Sequence, residues 1–243
     1  MIRSNIIKLG LIIVIILIGV YIQQQCVVEN FEQFYINLDR ATDRRDHIEK
    51  NKLETNMTDV KRIAAFDGKN TELSDYEKTT LLRNLTTPYG WPASRLPGEK
   101  GCALSHYYLW KKIKKYRYPI SVIFEDDVVF MKNSKKDIIY LTDNMQGYDI
   151  IFLYNTKYCN NTNDTKTIIN LKETKGKWFG CGAMAYLITL NAAAYLVDKM
   201  NQGALNKHID IWMYSNYNNL NIGVTKCSIV DKHAQFSKNS YIS

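Results

Sequence analysis

Three consecutive acidic residues, Glu125, Asp126 and Asp127, directly follow the apolar run at residues 120–124. Such a run is typical of a buried strand, and α/β sheets build their ligand sites at the carboxyl ends of strands. Adjacent carboxylates repel one another, and a divalent cation relieves that repulsion. All-oxygen ligands suit Mg²⁺ or Mn²⁺ better than Zn²⁺, and such an ion can hold the diphosphate of a nucleotide. The alternative interpretation is a strand that ends in a charged turn.

A strand, a helix and a second strand precede this stretch and would help to position it. Alternating apolar residues predict the first strand over 31–39. Thr42 is a suitable N-cap for a helix that ends near Leu53, and the second strand is expected over 60–66. This order is the nucleotide-binding half of many α/β folds. The chain contains neither G-x-G-x-x-G nor a P-loop motif, which argues against dinucleotide and P-loop sites.

The remaining segments predict further elements around a long polar loop. Residues 71–100 contain several prolines and glycines, and a loop of this length inside a domain is usually functional. The other predicted elements are a helix over 101–116, a strand over 148–153, a helix capped by Asn191 that runs through Met200, a helix over 209–217 and a last strand over 222–230. The sequence therefore predicts one α/β domain.

Length and composition limit the architecture and the partners. The 243 residues fit one domain plus an appendage, and 46% hydrophobic with 12% aromatic residues can supply a core. The net charge is +8, and its densest basic cluster lies at residues 111–115. That cluster is either an anion-binding face or the solvated face of a helix. No nucleic-acid-binding signature accompanies the charge, so no nucleic-acid partner is expected.

The N-terminal residues predict a membrane anchor. Residues 9–22 contain no charge, and the apolar span reaches back to residue 6 if Lys8 snorkels. Arg3 and Lys8 precede the span, which keeps the N-terminus cytoplasmic. A cleaved signal peptide is the alternative. We expect a cytoplasmic tail at 1–5, a transmembrane signal anchor at 6–22, a stem at 23–30 and the catalytic domain at 31–243. The chain would be a single-pass type II membrane protein with its domain lumenal, in the ER or Golgi, or extracytoplasmic.

Glycosylation sequons and cysteines agree with that location. The sequons begin at Asn56, Asn84, Asn160 and Asn163. Of the five cysteines, Cys26 adjoins the expected anchor. The other four can form two disulfides, whose pairing the sequence does not give: Cys102, Cys159, Cys181 and Cys227.

Several separated motifs together resemble glycosyltransferase family 25, which includes lipooligosaccharide and procollagen galactosyltransferases. The resemblance covers approximately residues 34–242. Its motifs are Y-I-N-L-D-R at 35–40, D-R-R at 43–45, A-F-D-G at 65–68, G-C-A-L-S-H-Y-Y-L-W at 101–110, F-E-D-D-V at 124–128 and A-M-A-Y-L-I at 183–188. It implies a GT-A-like α/β fold and a nucleotide-sugar donor. It also implies a transfer that inverts the configuration at the anomeric carbon.

The family pattern gives the acidic triplet the role of the DxD motif. Asp127 is then the chief metal ligand, helped by Glu125 or Asp126. His233 falls where enzymes of this fold often place a last metal ligand, and the alternative is a surface histidine. Ser105 and His106 form a pair that the family carries near the donor site. The alternative for His106 is a capping or core histidine.

Four further residues are candidates for contact with the donor. Asn37, Arg40 and Arg45 lie where the first strand meets its helix, and arginine suits bidentate contact with phosphate. Asp67 follows the second strand and can hydrogen-bond ribose or base. The alternatives are a solvated helix face for Arg45 and an Asp-Gly turn for Asp67.

An inverting transfer needs a base on the acceptor hydroxyl. Asp210 matches the family's late acidic position and is the candidate base, with His106 as a second catalytic candidate. The alternative is that Asp210 is an acid at a helix start, favoured there by the helix dipole.

The resemblance implies a metal-dependent hexosyltransferase that uses Mn²⁺ or Mg²⁺. Its donor would be UDP-galactose or UDP-glucose, and its acceptor a protein or a glycan. The alternative is an inactive relative that binds glycans or organises a membrane complex. The expected anchor and sequons differ from bacterial members, and the large collagen enzymes have a second catalytic domain. These differences leave the acceptor open.

Overall fold

The computed structural model describes residues 31–85, 96–156, 164–177, 180 and 182–238. The chain divides into two units, 1–30 and 31–243, and the description concerns the second. The predicted tail, anchor and stem lie outside the described residues, as do Asn160 and Asn163. Within the described ranges, no helix is long and apolar enough to cross a membrane.

The described elements are strands and helices that are interspersed along the chain. The strands are β1 (Phe31–Asn37), β2 (Lys61–Ala64), β3 (Ile120–Glu125), β4 (Val128–Phe130), β5 (Ile150–Phe152), β6 (Ile168–Asn170), β7 (Ala185–Thr189), β8 (Ile222–Thr225) and β9 (Val230–Lys232). The helices are α1 (Thr42–Glu54), a short π-helix (Glu77–Leu81), α2 (Leu96–Tyr116), α3 (Ser134–Asp143), α4 (Leu190–Asn201), α5 (Ile209–Ser215) and α6 (Ala234–Lys238).

Seven strands form a mixed sheet in the order β2-β1-β3-β7-β5-β8-β6. Strand β1 runs parallel to β2 and β3, whereas β7 runs antiparallel between β3 and β5. Strands β4 and β9 pair separately and antiparallel. The predicted α/β class is confirmed, and the finer GT-A-like assignment stays a prediction.

Both faces of the sheet are buried. Phe34 and Ile36 belong to the core cluster that includes residues of α2, α4 and α5. Tyr35, between them in β1, belongs to the second cluster, which includes Ile48 of α1 and Ile138 of α3. Helices therefore cover each face, which explains why β3 reads as a continuous apolar run.

Several element boundaries differ from the prediction, and three of these differences have a clear structural cause. Helix α2 begins at Leu96, with Pro97 in its first turn, where the missing N–H costs no helical hydrogen bond. Helix α4 is capped by Thr189, whose hydroxyl accepts the N–H of Ala192, and not by Asn191. The predicted strand over 222–230 divides into β8 and β9, because β8 pairs with β5 and β6 in the large sheet whereas β9 pairs with β4 in a separate two-stranded sheet.

The sheet register brings three strand ends to one edge. Asn37 of β1 lies opposite Ala64 of β2, and Ile36 lies opposite Glu125 of β3. Because these strands are parallel, the residues that follow each of them meet at the carboxyl edge. The pairing of Val128 with Lys232 brings the C-terminal part of the domain to the same place.

Candidate active site

A pocket that is open to solvent lies at this carboxyl edge. Its walls come from the ends of β1 and β3, the loop after β2 and the first half of α2. Its polar lining includes most of the residues that the sequence singled out: Arg40, Asp67, Ser105, His106, Glu125 and Asp126, with Arg44 in addition.

Two glycines let the loop after β2 lie directly on α2. A methyl group on Gly68 would sit 1.9 Å from the carbonyl oxygen of Pro97, and one on Gly101 would sit 2.7 Å from the nitrogen of Gly68. The hydroxyl of Ser105 stabilises the same contact. It accepts a hydrogen bond from the N–H of Phe66 at 2.8 Å and donates one to the carbonyl of Gly101 at 2.7 Å. Asp67 is thereby held at the pocket wall.

We expect Gly101→Ala to destabilise the domain by about 1–3 kcal/mol, because the methyl group has only backbone atoms to displace. Urea unfolding measures this change. Gly182→Ala is the matched control, since the nearest atom there would lie 3.8 Å away. Equal stability of the two variants would contradict the close backbone contact.

Asp126 is buried and points into a polar network. Its Oδ2 accepts Nδ2 of Asn37 at 2.8 Å, and its Oδ1 accepts Nη1 of Arg44 at 2.8 Å. Arg44 also donates to the carbonyl of Phe236 at 2.9 Å, so the network joins α1, the acidic turn and α6. Burial raises the pKa of Asp126 even though Arg44 and Asn37 favour its charged form. Both carboxylate oxygens are thus engaged by the protein.

We expect Arg44→Met to destabilise the domain by about 3–5 kcal/mol, since it leaves the buried charge of Asp126 without its ion partner. Chemical denaturation measures the loss. The double variant Arg44→Met with Asp126→Asn should recover part of the stability, because no charge is then buried. Additive losses would show that the two side chains are not coupled.

Glu125 is positioned by a chain of buried side chains. Nε1 of Trp110 donates to the hydroxyl of Tyr186 at 3.0 Å, that hydroxyl lies 2.7 Å from Nδ1 of His106, and Nε2 of His106 lies 3.4 Å from Oε1 of Glu125. Because an indole can only donate, the Tyr186 proton is directed to His106, which then donates to Glu125. Burial favours the neutral carboxyl, but His106, Lys232 and Arg44 outweigh it and lower the pKa of Glu125.

Asp127 presents a buried oxygen that lacks a hydrogen-bond donor. Its Oδ1 has no hydrogen-bond partner among the described residues, and its Oδ2 lies 3.6 Å from Nζ of Lys232. Burial first, and then the neighbouring charge of Glu125, raise its pKa to about 6. An orphaned carboxylate oxygen next to a second carboxylate fits a hard divalent cation, so the donor set suits Mg²⁺ or Mn²⁺.

His233 lies beside Asp127 through its backbone. Its N–H donates to the carbonyl of Asp127 at 2.8 Å. Its ring stacks on Phe236 with centroids 4.0 Å apart and meets His47 edge-on at 4.3 Å, and its Nδ1 accepts the N–H of Phe236 at 3.3 Å. Because Nδ1 is engaged, Nε2 is the ring nitrogen of His233 that could contact a metal ion.

Arg40 and Asp67 form an ion pair on the opposite wall, with Nε and Oδ2 2.7 Å apart. Burial opposes the charge of Asp67, but Arg40, Asn70 and the N–H of Lys69 lower its pKa to about 2. Asp67 is thus both a turn residue and a lining residue. On α1 it is Arg44, and not the predicted Arg45, that lines the pocket.

Asp210 lies in the first turn of α5, and its pKa responds to the charge of Glu125 at the end of β3. Burial raises its pKa, and the charges of Glu125 and Glu99 add to that rise, while the Ile211 N–H bonds its Oδ1 at 2.7 Å and opposes it. Its neighbour His208 hydrogen-bonds Glu99 of α2, and both side chains are buried. The Glu99–His208 pair therefore ties the start of α5 to the start of α2.

The structure adds residues that the sequence did not single out. Arg44 is buried with Asp126, and no local pattern separates it from Arg45, because the distinction depends on partners distant in sequence. Cys102 is a free thiol 3.8 Å from Oε1 of Glu125, so its predicted part in a disulfide is wrong; Cys227 is disulfide-bonded. The sequence signal that could have indicated a shared site is the spacing of Cys102 and His106, which lie one helical turn apart.

Comparison with known proteins identifies similar chains. Procollagen galactosyltransferase 2 of Homo sapiens is 31% identical over 173 residues, which cover 68% of this chain and 27% of the relative. A glycosyltransferase 25 family member of Aedes aegypti is 27% identical over 172 residues, covering 68% and 28%. Procollagen galactosyltransferase 1-A of Xenopus laevis is 33% identical over 129 residues, covering 50% and 21%. The chain thus spans well under half the length of these relatives.

The family model described as glycosyltransferase family 25 (LPS biosynthesis protein) matches residues 30–213. That match runs from β1 into α5 and includes the acidic strand, the Gly68–Gly101 contact and Asp210. Since it spans more than half of the sequence, the chain belongs to glycosyltransferase family 25.

Proposed function

We propose that the chain is an inverting, metal-dependent glycosyltransferase. It moves galactose or glucose from a UDP-sugar to a hydroxyl of a protein or glycan acceptor. The observation that carries this proposal is the buried Oδ1 of Asp127, which has no hydrogen-bond partner within the described residues and lies beside Glu125 at the carboxyl edge of the seven-stranded sheet.

The donor pocket has two arginines that could contribute to binding a nucleotide diphosphate. Arg40 and Arg44 both line it, and each is already paired with a carboxylate: Arg40 with Asp67 and the buried Arg44 with Asp126, so Arg44 acts mainly by positioning Asp126. Asp67 offers a carboxylate to ribose or base hydroxyls. The side chains of Asn37 and Ser105 are hydrogen-bonded to Asp126 and to the N–H of Phe66, respectively. We therefore propose that both residues shape the pocket and do not contact the donor.

Glu125 and Asp127 are the proposed metal ligands, while Asp126 is a positioning residue. The bound ion would stabilise the negative charge that develops on the leaving diphosphate, an effect typically worth several kcal/mol. His106 contributes by donating to Oε1 of Glu125, which fixes that carboxylate and leaves its other oxygen for the ion. Nε2 of His233 is the proposed further ligand.

Asp210 is the proposed base on the acceptor hydroxyl. A carboxylate whose pKa is raised by burial and by Glu125 accepts a proton more readily than an exposed one. The Glu99–His208 pair holds the start of α5 and thereby positions Asp210.

A donor-turnover assay on the full chain tests the proposal. We expect release of UDP from UDP-galactose or UDP-glucose in Mn²⁺, and loss of that release in EDTA. The assay with several UDP-sugars also names the sugar. An absence of turnover with every donor, together with retained glycan binding, would support the inactive relative that organises a complex.

We further propose that the domain lies in the secretory lumen behind an N-terminal anchor. Asn56 is exposed in a turn, whereas Nδ2 of Asn84 donates to the carbonyl of Gly203 at 2.7 Å. In a eukaryotic host we therefore expect a glycan on Asn56 in preference to Asn84. Digestion with an endoglycosidase measures the glycan as a change in electrophoretic mobility, and Asn56→Gln should reduce that change by one glycan, whereas Asn84→Gln should not. Protease access to the domain in sealed microsomes would contradict the topology.

A further inference from the structure

A second set of metal-binding side chains lies beside the acidic strand. Cys102 and His106 are one turn apart on α2 and both face Glu125 at the end of β3. Oε1 of Glu125 lies 3.4 Å from Nε2 of His106 and 3.8 Å from Sγ of Cys102. The three ligand atoms all lie within 4.8 Å of one another.

These separations match the edges of a tetrahedral site. Zinc binds sulfur, nitrogen and oxygen at distances near 2.0–2.3 Å, so neighbouring ligand atoms in a tetrahedron lie about 3.3–3.8 Å apart. The two edges to Glu125 have these lengths. The third edge, between Sγ of Cys102 and the ring nitrogen of His106, is no longer than 4.8 Å.

The ligand chemistry selects a soft cation. A thiolate and an imidazole favour Zn²⁺ and related ions, whereas Mg²⁺ and Mn²⁺ prefer oxygen. The charges of a thiolate and a carboxylate also balance a divalent ion. That balance matters because His106 is only 1% exposed, and an uncompensated charge would be costly there.

We propose that Cys102, His106 and Glu125 form a site for a thiophilic divalent cation of the Zn²⁺ type, with its fourth position open to the donor pocket. All three residues line that pocket, which gives the ion a route of entry.

Binding replaces the two hydrogen bonds that Cys102 and His106 make to Glu125. The thiol of Cys102 releases its proton to solvent, and the sulfur bonds the ion. His106 stays neutral: the proton that it carries on Nε2 without the ion moves to Nδ1 by exchange with solvent, and Nε2 bonds the ion. The hydrogen bond between Nδ1 and the hydroxyl of Tyr186, 2.7 Å away, then reverses so that Nδ1 donates, which is the outer-shell support that histidine ligands usually have.

One consequence rests on the proposed function. Glu125 would serve this site through Oε1 and the proposed donor-metal site through its other oxygen, so the two ions would share its one negative charge. Zn²⁺ is then expected to weaken Mn²⁺ binding at the donor site and to inhibit Mn²⁺-dependent transfer.

Titration of the full chain with Co²⁺, followed by displacement with Zn²⁺, tests the site without any sugar donor. We expect one equivalent of Co²⁺ to give sulfur-to-cobalt charge-transfer absorption in the near ultraviolet, which Zn²⁺ abolishes. Cys102→Ser should weaken Zn²⁺ binding by more than about 100-fold, because even the loss of an outer-shell partner typically costs 10–100-fold. Cys102→Ala should give the same loss.

His47→Gln is the control, since His47 packs against His233 and contacts none of the three proposed ligands among the described contacts. That variant should keep the absorption, and circular dichroism should show that all variants stay folded. The proposal is overturned if the wild-type protein lacks the absorption, if Cys102→Ser keeps it, or if His47→Gln loses it. None of these results depends on turnover, so they are distinct from a failure of the proposed function.

Discussion

Asp127→Asn is expected to lower metal-dependent donor turnover by about 10³-fold or more. The substitution keeps the shape of the side chain but removes the carboxylate charge that would hold the ion. Metal stabilisation of a leaving group is typically worth several kcal/mol, and each 1.36 kcal/mol corresponds to a factor of ten. The measurement is UDP release from the preferred donor over a range of Mn²⁺ concentrations.

The same variant should not be less stable than the wild type when metal is absent. Burial and Glu125 raise the pKa of Asp127 to about 6, which means that the fold disfavours its charge. A neutral amide removes that cost, so the melting temperature should stay equal or rise. Asp231→Asn, at an exposed carboxylate on β9, is the matched control and should keep its turnover. Near-normal turnover in Asp127→Asn, or full activity in EDTA, would contradict the metal assignment.

Asp210→Asn is expected to lower kcat for transfer by about 10²-fold or more, in line with the usual contribution of a general base. The amide oxygen can still accept the N–H of Ile211, so the start of α5 should keep its conformation. UDP and Mn²⁺ affinities should stay within a few-fold of the wild type, because the base acts on the acceptor. Transfer kinetics and UDP titration measure the two effects separately.

Asp143→Asn, an exposed carboxylate at the end of α3, is the control for Asp210. It should change neither kcat nor UDP affinity. If Asp210→Asn instead loses UDP and Mn²⁺ binding while transfer recovers at saturating donor, Asp210 belongs to the metal site. The charge of Glu125 contributes to the raised pKa of Asp210, so the two carboxyl groups interact. The experiment therefore distinguishes a base from a metal ligand.

The position of the acidic strand could be predicted from the sequence because it depends on local pattern. An apolar run buried on both faces gives β3, and the parallel pairing with β1 places its end beside Asn37. The different contacts of Glu125, Asp126 and Asp127 could not be predicted. Asp126 turns to Arg44 and Asn37, which are more than 80 residues away, and only the tertiary fold decides that Asp127 keeps an unpartnered oxygen.

The start of α2 shows the same limit. Residues 96–100 include a proline and a glycine, which sequence patterns assign to a loop. In the fold, Pro97 occupies the first turn of the helix, and the backbone of Gly101 packs directly against the backbone of Gly68. The close packing of two distant backbone segments gives those residues their role, and it leaves no periodic pattern in the sequence.

Calorimetric titration of UDP into the full chain tests the central claim most directly, that Glu125 and Asp127 hold a divalent ion which binds the donor diphosphate. We predict that UDP binds in Mn²⁺, that binding is lost in EDTA, and that Asp127→Asn in Mn²⁺ behaves like the wild type in EDTA. Equal UDP affinity with and without the ion, or unchanged affinity in Asp127→Asn, would contradict it.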